Sequence, residues 1–183
     1  MPLNAPNLLT VGRILLVPVL VVALLADTRT GDVIGAVAFA VGAATDALDG
    51  YLARSSGEET KFGKLAEPLA DKLLVAAALV LLVAQDTLPL WVAVVIIVRE
   101  VVVTVLRTGA SRRGVVAPAQ PLGKAKTVCQ VAMVLAVMLV VGSPLWLDVL
   151  IDVTVALTVV SGADFVLGLR RRWAGRPSPA APS

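Results

Sequence analysis

The chain contains no histidine and a single cysteine, Cys129. Without histidine there is no Ser-His or Cys-His nucleophile and no imidazole metal ligand, and one cysteine cannot close an internal disulfide. Charge is scarce too. Only 16% of the 183 residues are Asp, Glu, Lys or Arg, whereas 58% are hydrophobic, and the mean hydropathy is +0.91. An ordinary soluble domain is less apolar and more charged. The composition therefore predicts an integral membrane protein whose chemistry runs on carboxylates, Lys, Arg and a hard metal.

Six apolar segments follow one another, at 8–26, 33–54, 66–85, 89–108, 122–142 and 146–169. Each approaches the ~20 residues that an apolar helix needs to cross the hydrocarbon core. The stretches Asp27 to Asp32, Gln85-Asp86 and Gly142-Ser143-Pro144 punctuate them as turns. Backbone in lipid must satisfy its own hydrogen bonds, so the expected fold is all-α: a bundle of six transmembrane helices in a single domain, 1–174. The Pro, Ala and Ser rich stretch 175–183 is expected to be a disordered tail.

Lys and Arg set the orientation. Arg13, Arg54, Lys61, Lys64, Arg107, Arg112, Arg113, Lys124, Lys126, Arg170, Arg171, Arg172 and Arg176 fall at one side of the segments, while the other side holds Arg29 with Asp27, Asp32, Asp86 and Asp148. By the positive-inside rule both termini are cytoplasmic. The first segment has no basic residue before its apolar stretch and no clear small-residue cleavage pattern, so it reads as part of the mature protein rather than a secretory signal. Pro6-Asn7 is expected to open a short interfacial helix, with Arg13 either anchoring its entry at the phosphate level or meeting substrate. Trp91 and Trp146, near segment ends, read as interfacial anchors, as does Trp173.

The densest chemistry lies in 46–71, DALDGYLARSSGEETKFGKLAEPLAD. Asp46 and Asp49 are three apart, and Glu67 and Asp71 four apart, so each pair shares a helix face. A carboxylate in a spanning helix is disfavoured by about 2.5 kcal/mol or more at mid-membrane, so such acids usually face a cavity and mark a functional path. Structural ion pairs with Lys72, Arg99 or Arg54 are the plain alternative, but they would leave four acids with too few buried cations. Four carboxylates without His or Cys form a hard, oxygen-rich site suited to Mg²⁺ or Mn²⁺, and to Ca²⁺ less specifically. Metals held this way, beside Gly50, Gly63 and Arg54, suit chemistry on a phosphate or diphosphate. A divalent-cation or proton transporter would use the same acids as a relay, and composition alone does not separate the two.

Spacing does separate them. The stretch Asp46-x2-Asp49-Gly50-x2-Ala53-Arg54-x8-Gly63-x3-Glu67-x3-Asp71 resembles the signature of the CDP-alcohol phosphotransferase family, D-x2-D-G-x2-A-R-x8-G-x3-D-x3-D. Every fixed position but one matches with the spacing intact; the departure is Glu67, where the family has Asp. The resemblance implies a six-helix membrane enzyme, commonly a homodimer, that transfers a substituted phosphate from a CDP-linked donor to an alcohol and releases CMP. Carried over by position, Asp46, Asp49, Glu67 and Asp71 would hold two divalent metals. Asp71 would also be the base for the acceptor hydroxyl, and Asp49, Gly50, Ala53, Arg54 and Gly63 would serve the CDP moiety.

Three further stretches, Pro6-Asn7-Leu8-Leu9-Thr10-x2-Arg13, Arg99-Glu100-x5-Leu106-Arg107 and Gly123-Lys124-x-Lys126-Thr127-x2-Gln130, are similar to segments of the bacterial branch of the family that makes phosphatidylglycerophosphate. That likeness implies CDP-diacylglycerol as donor, sn-glycerol 3-phosphate as acceptor, and a plasma-membrane site facing the cytoplasm. Inositol phosphate or phosphatidylglycerol remain alternative acceptors. A dianionic acceptor needs cations. Arg107 and Lys124 are the first candidates for its phosphate, followed by Arg112, Arg113 and Lys126, although a basic loop attracted to anionic lipid would carry the same residues. Lys72 points roughly 100 degrees around the helix from Asp71 and reads as charge-balancing. Glu100 reads as either the partner of Arg99 or a polar contact in a cleft.

Overall fold

The computed structural model describes the backbone of residues 5–56, 63–112 and 121–174, and the side chains of 11–45, 72–112 and 121–172. Among the described residues there are six helices and no strand: α1 Ala5–Leu25, α2 Arg29–Ser56, α3 Gly63–Ala84, α4 Leu90–Arg112, α5 Pro121–Leu139 and α6 Leu145–Ala174. The segment order expected from hydropathy is kept. The ends differ by a few residues, for local reasons.

The separate entry helix expected at Pro6-Asn7 is absent, because α1 runs unbroken from Ala5. Pro6 falls in the first turn, where a missing N–H breaks no helical bond. Helix α2 starts at Arg29, earlier than hydropathy suggests, because Thr28 caps it: the Gly31 N–H donates to Thr28 Oγ1 at 3.1 Å. Asp32 in that first turn complements the helix dipole. The breaks fall at the expected punctuation, where the chain reverses through left-handed residues, Asp27 at φ 47°, Asp86 at φ 56° and Gly142 at φ 80°.

Hydrogen bonds tie the turn end of the bundle together. Gln85 Nε2 donates to the Leu24 carbonyl at 2.8 Å, a second bond to an oxygen at the end of α1 that also accepts from the Asp27 N–H. Arg29 Nη1 donates to the Met138 carbonyl at the end of α5, at 3.4 Å. In between, α1 packs on α2 and α3, α5 on α6 and α2, and α4 on α6 and α3. Leu20, Leu24, Phe39, Leu74, Leu79, Ile96, Met133, Val134 and Ile151 belong to one buried cluster shared by all six helices. Val103, Ala110, Phe165 and Leu169 form a smaller cluster between α4 and α6.

The outside is apolar as well. Leu15, Val22, Val37, Val80, Val98, Val105, Val149 and Leu167 all stand exposed. A soluble monomer rarely carries such a continuous apolar exterior. The α5 stretch Pro121–Leu139 and the α6 stretch Leu145–Arg172 are each long and apolar enough to cross a membrane, and Val11–Leu25 and Lys72–Ala84 are shorter apolar stretches. Trp91 and Trp146 are exposed at the starts of α4 and α6, as interfacial anchors would be; the Trp173 side chain lies outside the described residues.

Candidate functional site

The sequence motif is carried by two neighbouring helices. Asp46, Asp49, Gly50, Ala53 and Arg54 occupy the second half of α2, and Gly63, Glu67 and Asp71 the first half of α3. Their side chains lie outside the described residues, but the packing just beyond them is described. Gly42, one turn before Asp46, lies against Leu74, which is one turn after Asp71. A Cβ at position 42 would meet Leu74 Cδ2 in its present rotamer, so the bare glycine leaves the space that this leucine fills between α2 and α3. This close approach sets the spacing of the two helix stretches that carry the four carboxylates.

Immediately beyond the motif lies a charge cluster centred on Glu100 of α4. Arg99 Nη1 donates to Glu100 Oε1 at 3.0 Å, Lys72 Nζ of α3 pairs with Oε2 at 3.5 Å, and Lys126 Nζ of α5 bonds to Oε1. One carboxylate thus binds three helices. Arg99 also reaches α6, where Nη2 donates to Ser161 Oγ at 3.1 Å. Gly162 makes room for the Arg99 stem, since a Cβ there would sit 3.2 Å from Arg99 Cγ. Within apolar surroundings such pairs are screened little by water.

Lys72, Glu100 and Lys126 also line a cleft of about 130 Å³ between α2, α3, α4 and α5. Phe39 and Ala43 form its α2 side, Ile96, Ile97 and Val131 add apolar surface from α4 and α5, and Gln130 adds an amide. Ala43 precedes Asp46 by three residues and Lys72 follows Asp71 directly, so the cleft adjoins the motif. The result is a small apolar pocket with a cationic floor.

The remaining expected residues are distributed as follows. Lys124 and Arg112 are exposed at the start of α5 and the end of α4. Arg107 is exposed and stacks over the Phe165 ring at 5.5 Å, which ties its guanidinium to α6. Arg113 lies outside the described residues. Lys126 is 3% exposed and paired with Glu100, a setting different from that of Lys124 two residues earlier. Lys72 balances charge as its sequence position suggested, with Glu100 as partner. Arg13 does not anchor the surface. It is 1% exposed, because it shares the interior face of α1 with Leu20 and Leu24, seven and eleven residues on.

Comparison with known proteins fits this arrangement. The CDP-alcohol phosphatidyltransferase profile matches residues 3–160, so the chain belongs to that family, a family of transferases. A Bacillus subtilis protein named CDP-diacylglycerol–glycerol-3-phosphate 3-phosphatidyltransferase is 41% identical over 180 residues, covering 88% of this chain and 93% of that protein. A Mycobacterium tuberculosis protein named probable phosphatidylglycerophosphate synthase is 39% identical over 168 residues, covering 89% and 80%. A Rickettsia felis protein carrying the first of these names is 32% identical over 170 residues, covering 88% and 93%.

Proposed function

We propose that this chain transfers the phosphatidyl group of CDP-diacylglycerol to sn-glycerol 3-phosphate, making phosphatidylglycerophosphate and releasing CMP for phospholipid biosynthesis. The observation that carries the reading is the signature from Asp46 to Asp71, placed on two close-packed helices, in a chain whose relatives are named for this reaction. The apolar exterior supports a membrane protein; in this reading the chain forms a six-span bundle over residues 1–174 in a bacterial plasma membrane, with both termini and the site facing the cytoplasm, and works as a homodimer.

In this reading Asp46, Asp49, Glu67 and Asp71 hold two divalent ions. An all-carboxylate donor set fits Mg²⁺ or Mn²⁺. When bound, the ions neutralise the diphosphate and the charge developing on CMP. Gly50, Ala53, Arg54 and Gly63 seat the cytidine diphosphate. Asp71 takes the proton of the acceptor hydroxyl, whose oxygen bonds to the lipid-side phosphorus as the bond to CMP breaks. Arg107 and Lys124, with Arg112, Arg113 and Lys126, supply the positive field for the acceptor phosphate.

The test is CMP release from CDP-diacylglycerol by purified protein with Mg²⁺ or Mn²⁺, comparing glycerol 3-phosphate, inositol phosphate, phosphatidylglycerol and no acceptor. Release with glycerol 3-phosphate alone is expected, and release with a different acceptor would change the assigned product. Asp46→Asn and Asp71→Asn are each expected to bring CMP release to background while leaving the melting temperature near wild type. Retained turnover in either would remove that residue from the site.

A further inference from the structure

The cleft floor carries a surplus of positive charge. Of the residues that line the cleft, Lys72 and Lys126 share the single carboxylate of Glu100, which leaves one positive charge in excess; Arg99, outside the lining, pairs with the same carboxylate and adds a second. Gln130 lies on α5, one turn beyond Lys126 on the same helix face. It lines the cleft and is 4% exposed, and its Oε1 has no hydrogen-bond partner among the described residues. A buried amide oxygen without a donor is uncommon and marks a place where a ligand or water completes the pair. The terminal amide torsion is soft, so either end of the group can turn to the cleft.

A ligand that satisfies this cleft brings an anionic group for the surplus cations and a hydroxyl roughly 5–6 Å away, the separation of residues four apart on a helix face. The volume of about 130 Å³ is below the roughly 300–1,000 Å³ of pockets that hold drug-sized ligands. The described part of the cleft is on the scale of a three-carbon phosphate. We infer that Gln130 is a specificity-determining residue that hydrogen-bonds the non-reacting hydroxyl of a small phosphorylated polyol, whose phosphate lies toward Lys126, the member of the acceptor-phosphate set that lines the cleft. This assignment rests on the acceptor reading above. The unpartnered amide separates a polyol phosphate from a phosphate that merely carries the reacting hydroxyl. Neither Lys nor Arg does that, because each binds the phosphate common to both.

The experiment compares two acceptors, sn-glycerol 3-phosphate and 3-hydroxypropyl phosphate, which keeps the phosphate and the primary hydroxyl but lacks the secondary one. Wild-type protein is expected to favour glycerol 3-phosphate by about ten-fold in kcat/KM, the scale of one hydrogen bond to an otherwise unpaired group. Gln130→Met, similar in volume but unable to offer the same bonds, is expected to bring the two acceptors within about two-fold. The change should fall in the KM for glycerol 3-phosphate, with the KM for CDP-diacylglycerol unaltered. Gln130→Leu serves as the second variant should Gln130→Met not fold. A folded variant that loses activity equally with both acceptors, or keeps the wild-type ratio, overturns the assignment and leaves the acceptor reading standing. Wild-type protein that releases CMP with neither phosphate overturns both.

Discussion

Glu100 is the only carboxylate among the described residues within ion-pair distance of Lys72, Arg99 and Lys126, so its loss is felt by all three. Glu100→Gln leaves Lys126 buried without a counter-charge. Removing one partner of a buried pair typically destabilises by about 3–5 kcal/mol, and the partial exposure of Lys72 and Glu100 places this case toward the lower end. A clear fall in melting temperature in detergent is the expected result. The double variant Glu100→Gln, Lys126→Met should recover part of that loss, because the buried charge is gone. Glu67 supports a different kind of test. Its extra methylene adds side-chain entropy to be lost on binding an ion. Glu67→Asp is therefore expected to retain turnover and to lower the Mg²⁺ concentration giving half-maximal CMP release. An unchanged or raised requirement would show that Glu67 reaches its ion as well as Asp does. The sequence left the partner of Glu100 open between Arg99 and a cleft, and the structure supplies both. Linear adjacency displays Arg99, whereas Lys72 and Lys126 meet Glu100 only through packing of α3 and α5 on α4. Gln130 had one legible signal, a polar residue one turn from a buried lysine inside an apolar run.

At the scale of elements, the order of the helices and the punctuation between them were readable because hydropathy and turn residues are local properties. Their ends were less so. Thr28 extends α2 backward by capping it, and Pro6 fits the first turn of α1; neither effect shows in an average over an apolar window. In the sequence Gly42 is one small residue among several in α2, whereas its contact with Leu74 places it where the helices that carry the motif approach each other. The neighbour is the far end of a flexible side chain, so Gly42→Ala should be accommodated by a rotamer change with little effect on melting or turnover. Gly42→Leu must separate α2 from α3. A shift near 1 Å at a reacting centre can slow chemistry by about a hundred-fold. CMP release should therefore fall more than ten-fold while helical content by circular dichroism stays near wild type. Equal activity in the two variants would detach helix spacing from catalysis.

The whole molecule poses the question of orientation. Cations gather at one end of the bundle, near the end of α4, the start of α5 and the end of α6, while Asp27, Asp86 and Asp148 stand at the other. Since Cys129 is the single cysteine, one substitution, Cys129→Ser, yields a background for site-specific labelling. Thr154 Oγ1 donates to the main-chain carbonyl of residue 129, a contact the substitution retains. In intact cells, a cysteine placed at Ser143 is expected to react with a membrane-impermeant maleimide, and one placed at Ser111 is expected to react only after lysis. The reverse pattern would invert the assigned topology, and with it the compartment that supplies the acceptor.

The sharing of one carboxylate by Lys72, Arg99 and Lys126 also has a consequence for biosynthesis. Lys72, Arg99 and Glu100 all leave the ribosome before Lys126, which follows Glu100 by 26 residues. At bacterial-to-eukaryotic elongation rates that interval is roughly one to five seconds. If the helices insert in chain order, α4 would enter the bilayer with its acid already neutralised by its neighbour Arg99 and by α3. The lysine of α5 would then meet a waiting anion instead of lipid. The order of translation delivers each charge into a partner already in place, and a circularly permuted chain that began at α5 would have to insert Lys126 alone.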